Sequence, residues 1–110
     1  MVDIEGRFSR RVVEKAKKKK IISLMKEWDG EEGIYIVSGS YGSNVQIVRV
    51  EISGGELGVY CSCTGFLRGL CSHVYLVFKH ILEKDGSVRE AMERWLEKRE
   101  EEVKKKNGSD

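Results

Sequence analysis

Cys61-Ser62-Cys63-Thr64-Gly65-Phe66-Leu67-Arg68-Gly69-Leu70-Cys71-Ser72-His73 is the stretch on which the reading of this chain turns. These thirteen residues hold all three cysteines of the 110-residue sequence and one of its two histidines. Three thiolates and one imidazole are the donor set of a closed, tetrahedral Cys3His zinc site, so one Zn2+ per chain is expected on Cys61, Cys63, Cys71 and His73. The spacing supports this. Residues two apart in an extended segment share a face, so Cys61 and Cys63 present both sulfurs to one side at a strand end. Cys71 and His73 cannot share a face inside a helix. Cys71 is therefore expected in the turn before a helix and His73 in its first turn. Three thiolates around Zn2+ carry a net charge of about −1, which the free N–H groups and positive dipole end of a helix N-terminus favour. Gly65 and Gly69 let the intervening backbone turn, and Phe66, Leu67 and Leu70 are expected to roof the metal.

The alternative uses of these cysteines are two buried structural thiols or a redox pair. An odd cysteine count leaves one sulfur unpaired in any disulfide scheme. No signal peptide or apolar run of membrane length is present, which predicts a reducing, cytoplasmic compartment. His80 lies seven residues after His73, on the same helical side but about 10.5 Å along the axis, too far to share the metal. It reads as an ordinary, partly buried helix histidine.

Residues outward from the ligands order into an α+β pattern: a small antiparallel sheet with flanking helices and the zinc site at a strand–helix junction. Phe8, Val12, Val13 and Ala16 recur at helical spacing, predicting a basic helix over about 7–19, with Ser9 able to cap a later start. Ile21–Trp28 reads as a strand, Asp29–Gly33 as a turn, and Ile34–Val37 as the next apolar run. Val45–Ile52 alternates as a strand, Ser53-Gly54-Gly55-Glu56 is a hairpin turn, and Leu57–Tyr60 leads into the ligands. Val74, Val77, Phe78 and Ile81 form the stripe of the helix after the site, which Asp85-Gly86 ends. Ser87-Val88-Arg89-Glu90 reads as a capping box opening a last helix over about 88–104, striped by Val88, Ala91, Met92, Trp95, Leu96, Arg99 and Val103. Lys104–Asp110 is expected to fray. Ile52, Leu57, Val59, Phe78 and Trp95 are core candidates. A single domain over residues 1–110 is expected.

The pattern CxC–x7–CxH on a strand-to-helix junction resembles the SWIM-type zinc finger. Tyr35-Ile36-Val37-Ser38-Gly39-Ser40 and Val59-Tyr60-Cys61-Ser62-Cys63 look like strands of that family, and Cys71-Ser72-His73-Val74 like its second ligand pair. The likeness covers about residues 34–82. It implies a DNA-binding or protein-interaction module, since the family occurs in chromatin-remodelling helicases, transposases and recombination factors.

Charge suggests where a partner would sit. The chain carries a net charge of only +2, but residues 7–20 hold eight basic groups against Glu14 alone, a local +7 that leaves −5 for the rest. Arg10, Arg11, Lys15, Lys17, Lys18 and Lys19, with Arg68 in the zinc loop, are the expected nucleic-acid contacts, since neutralising phosphates releases counterions. The bland reading of such a run is a solvated helix face. The alternative function is a protein–protein adaptor, in DNA recombination or repair, docking through the 88–103 stripe or a sheet edge; that stripe can equally cover the domain's own core. No membrane or small-molecule partner is indicated. Enzyme chemistry is not expected, because four protein ligands leave zinc no position for water and no catalytic signature accompanies them.

Overall fold

The computed structural model describes residues 4–38, 45–63, 66 and 69–107, with backbone alone for 4–5 and 103–107. A 3-10 turn, Ile4–Arg7, precedes helix α1 (Arg10–Ala16). Four strands follow: β1 (Ile21–Lys26), β2 (Glu32–Ser38), β3 (Val45–Ser53) and β4 (Glu56–Cys61). Helix α2 (Ser72–Lys84), a 3-10 turn (Gly86–Val88) and helix α3 (Arg89–Asn107) complete the order. The sheet is an antiparallel meander, β1-β2-β3-β4, so the expected α+β class is what the chain adopts.

Period-two alternation divides the sheet into two faces. Tyr35, Val37, Val48, Val50, Leu57 and Cys61 point inward and are buried. Onto them α2 lays Val74, Val77, Phe78 and Ile81, all fully buried, and α3 adds Met92 and Leu96. Phe78 sits where three elements meet, edge-on to Phe8 (6.3 Å between centroids) and to Trp95 (5.6 Å). Phe8 also packs on Tyr75 at 5.0 Å, which joins α1 to α2. Ile52, Val59 and Trp95 pack at the margin of the core rather than inside it.

Local chemistry explains the element ends. Ser9 caps α1, its hydroxyl accepting from the Val12 N–H at 3.2 Å, but the helix stops at Ala16, short of the expected residue 19. Lys18 and Lys19 donate to the carbonyls of Lys15 and Ala16, a tightening of the last turn that frees Ile21 to enter the sheet opposite Val37. Gly54 and Gly55 take φ of +59° and +81° between the paired residues Ser53 and Glu56, the two-residue turn whose twist matches the strands. The expected capping box at Ser87 is corrected. Asp85 does the capping, accepting from the Ser87 N–H (3.1 Å) and hydroxyl (2.5 Å), so Ser87 spends its hydroxyl as a donor. The other oxygen of Asp85 accepts from the buried Trp28 indole at 3.0 Å. The helical backbone of α3 continues to Asn107, beyond the expected end at 104. The strand read over Tyr35–Ser40 is seen to Ser38; Gly39 and Ser40 lie outside the described residues.

Gly33 is fixed by its neighbour. The Tyr35 hydroxyl reaches back to accept the Trp28 N–H at 3.0 Å, which lays its ring over Gly33. Burial and the nearby Glu27 carboxylate push that hydroxyl up to about 12. A Cβ on Gly33 would stand 2.7 Å from the ring of Tyr35, a side chain with no exposed surface. Gly33→Ala should therefore destabilise the fold by about 1–3 kcal/mol, as overpacking does. Urea unfolding of the variant checks this; an unchanged midpoint would show that the Tyr35 ring moves freely.

Candidate metal centre

The centre is assembled from the end of one strand and the start of one helix. Cys61 is the last residue of β4 and buried; Cys63 follows in a bend, half-buried. Cys71 is the N-cap residue of α2 with extended backbone (φ −112°, ψ 161°), and its side chain makes no capping hydrogen bond. His73 is the second residue of that helix and buried. The placement of Cys71 before the helix and His73 in its first turn is as the spacing predicts. The ligand atoms of Cys61, Cys63, Cys71 and His73 all lie within 4.8 Å of one another, with the sulfurs of Cys61 and Cys63 at 3.4 Å. A tetrahedral zinc with Zn–S near 2.3 Å sets its sulfurs about 3.8 Å apart, so this cluster is of the right size.

Two further observations fit a metal. The Nδ1 of His73 is buried without a hydrogen-bond partner among the described residues, a cost that coordination removes. The sulfurs also compete for protons. A hydrogen bond from Cys61 holds the Cys71 thiol far below its ordinary range, whereas that sharing and burial push Cys61 well above it. Burial and the charge on Cys71 raise Cys63. Three sulfurs this close are all thiolates only with a cation among them. Zinc uptake must therefore displace thiol protons, and affinity falls as pH falls.

The ligand loop is tied down from two sides. Trp95 of α3 stacks on Phe66 (6.3 Å, planes 7° apart), and the Arg99 guanidinium lies 4.6 Å from the Phe66 ring centroid. Arg99 also donates to the Phe66 carbonyl and, at 3.3 Å, to the Gly69 carbonyl. From the opposite end of the chain, Lys19 Nζ donates to the Ser72 hydroxyl at 2.7 Å, between the two helix ligands. Burial and Lys15 lower the Lys19 pKa, while the three cysteines pull it the other way. The sequence reading gave neither residue this role. Arg99 left a trace, a cation at a core-facing position of the α3 stripe; Lys19 left none within its lysine run. Phe66 and Leu70 are half-buried and pack against the core, and Leu67 and Arg68 lie outside the described residues. His80 is half-buried and faces Glu27 at 3.3 Å, away from the metal ligands.

Residues 47–82 match the SWIM zinc finger family. The chain carries a SWIM zinc finger. The match opens in β3 and closes in α2, narrower than the 34–82 span read from the sequence, and it contains all four ligands. Among curated proteins and among solved structures nothing matches the chain.

Cys61, Cys63, Cys71 and His73 form a cluster positioned to bind one zinc ion. Elemental analysis should give one zinc per chain, and Cys63→Ser should bring it well below that. Structural zinc contributes on the order of 10–16 kcal/mol of apparent binding energy at neutral pH, against about 5–15 kcal/mol of net stability for a domain. Chelation should accordingly lower the melting temperature sharply. Arg99→Ala, which touches no ligand, should speed zinc loss to a chelator. A melting temperature unmoved by verified zinc removal would contradict a structural metal.

Proposed function

We propose that this SWIM finger is a nucleic-acid-binding module rather than an enzyme, with its zinc structural and its contacts made through phosphate neutralisation. The support is the way cations are partnered. Away from α1, Lys26, Arg49, Lys84, Arg94, Lys98 and Arg99 each pair with a carboxylate. On α1 and the residues after it, Arg10, Arg11, Lys15, Lys18, Lys19 and Lys20 have no carboxylate partner among the described residues, and Lys17 alone reaches Glu14 at 3.2 Å. All but Lys19 are exposed. Val13 and Ala16 are buried, so the helix turns its apolar side to the core and its cations outward. Unrelieved like charge costs stability, and an anionic partner offsets that cost. Four protein donors fill the zinc's tetrahedral shell and leave no place for a reacting water, which supports binding over catalysis.

Lys15→Glu/Lys18→Glu should abolish binding of a labelled oligonucleotide at low salt and leave melting and zinc content unchanged. Wild-type protein should show a steep fall of affinity with salt. An unbound oligonucleotide at low salt refutes the reading.

A second reading, the protein adaptor, has one observation in its favour. The large exposed apolar side chains Ile22, Leu24, Met25, Val45, Ile47 and Tyr60 all lie on strands. Val45, Ile47 and Tyr60 alternate with the inward residues, so they stand on the sheet face that α2 and α3 leave uncovered. Of the 88–103 stripe, Val88, Ala91, Met92 and Leu96 are buried in the domain's own core. Among the described residues no helix is long and apolar enough to cross a membrane. If the sheet face carries the function, Ile47→Asp should release a stoichiometric protein partner while Lys15→Glu/Lys18→Glu retains it.

A further inference from the structure

An open groove of about 470 Å3 lies between the α1–β1 connection and α2. Lys19 and Lys20 form one wall, and Lys79, His80 and Glu83 of α2 the other, with Ile21 and Leu76 half-buried between them. Lys79 is exposed and has no carboxylate partner among the described residues, although Glu83 stands one turn away on the same helix. Its neighbour on the helix behaves differently: Lys84 is satisfied by Glu27 at 2.7 Å, and His80 faces that same carboxylate. Lys79 therefore joins the unpaired set, and it comes from an element 60 residues beyond Lys19 in sequence.

We infer that this groove seats a stretch of nucleic-acid sugar–phosphate backbone, with Lys79 and Lys20 on phosphates and Ile21 and Leu76 against a sugar; the inference rests on the nucleic-acid reading above. Three lysines and a single carboxylate, Glu83, line the groove. A strand lying along the exposed cations of α1 meets this groove directly after Lys18, because Lys19 and Lys20 are the next residues of the chain. Lys19 is the fixed point of the wall, held by Ser72 between two zinc ligands, so the metal site sets where that wall stands. An apolar strip between cations suits alternating sugar and phosphate better than a compact anion. Glu83 opposes the ligand and limits affinity.

The test is fluorescence anisotropy of zinc-loaded protein with a labelled 20-nucleotide DNA, single-stranded and duplex, across a salt series. Each lost phosphate contact removes about 0.7–0.9 from the log–log salt slope, so Lys79→Ala should weaken binding about five- to eight-fold at 0.1 M salt. Glu83→Gln should tighten binding, a gain that structural damage does not mimic. Lys98→Ala, outside the groove and paired with Glu56, should change nothing. Affinity and slope unchanged by Lys79→Ala while Lys15→Glu/Lys18→Glu abolishes binding would overturn the groove and keep the nucleic-acid reading. An equal loss from Lys98→Ala and Lys79→Ala would mean diffuse attraction and overturn the seat. No binding by the wild type removes the reading and the groove together.

Discussion

Three sulfurs and an imidazole confined within 4.8 Å are the constraint on which the rest of this chain depends. Sulfurs at that separation share protons or a cation, and only the cation lets all of them be thiolates. That requirement fixes the end of β4 against the start of α2. Both elements must arrive at one point, which sets the height of α2 over the sheet and hence which of its residues meet Val48 and Val50. Val74, Val77, Phe78 and Ile81, on the helix that follows the ligands, are fully buried. In a chain of 110 residues a metal contribution of this kind supplements a modest apolar core.

The centre also draws in two segments far apart in the sequence. Lys19, after α1, and Arg99, near the end of α3, each put a cation beside the ligand loop, one on the Ser72 hydroxyl and one on the loop carbonyls. Neither is a ligand. Both place positive charge near a cluster that carries about −1 when three thiolates hold Zn2+. Arg suits the loop because its planar fork can serve two carbonyls while stacking on Phe66, which an ammonium cannot do. Two segments that contribute no donor, the α1–β1 connection and α3, are thereby tied to the ligand-bearing stretch.

Legibility in the sequence followed the range of the interaction. The ligand set, its strand-to-helix placement, the hairpin at Gly54-Gly55 and the apolar stripes were readable, because each is encoded by residues within a few positions of one another. The cap of the last helix was misread because Ser87-Val88-Arg89-Glu90 satisfies the local pattern. Asp85 took that position since its second oxygen also reaches the Trp28 indole, a partner 57 residues away that no local pattern contains. The helix expected over 7–19 ends at Ala16 for a similar reason: the pairing of Ile21 with Val37 decides where the chain must become extended. Lys19 and Arg99 took their roles from tertiary contacts alone.

The uneven pairing of charge is the feature that packing does not account for. The outer sheet face neutralises its own charges, with Arg49 held by both Glu32 and Glu51 and Lys26 by Glu32 and Asp29. Glu32 and Asp29 have their carboxyls lowered by these contacts, Asp29 to about 2, chiefly through the backbone N–H groups of Glu32 and Glu31. Carboxylates were thus available to the fold and were spent on that face. A chain built only to stay dispersed in water would intersperse them with the lysines of α1, as α3 does with Glu90–Arg94 and Arg99–Glu102. Keeping acids off one surface while balancing them on another leaves a field that extends about a Debye length into solution, roughly 8–10 Å at physiological salt. Such a field attracts any polyanion before contact and says little about sequence. On the reading proposed above, selectivity would come from the shape of the groove, whose lining includes a carboxylate, Glu83, among its lysines.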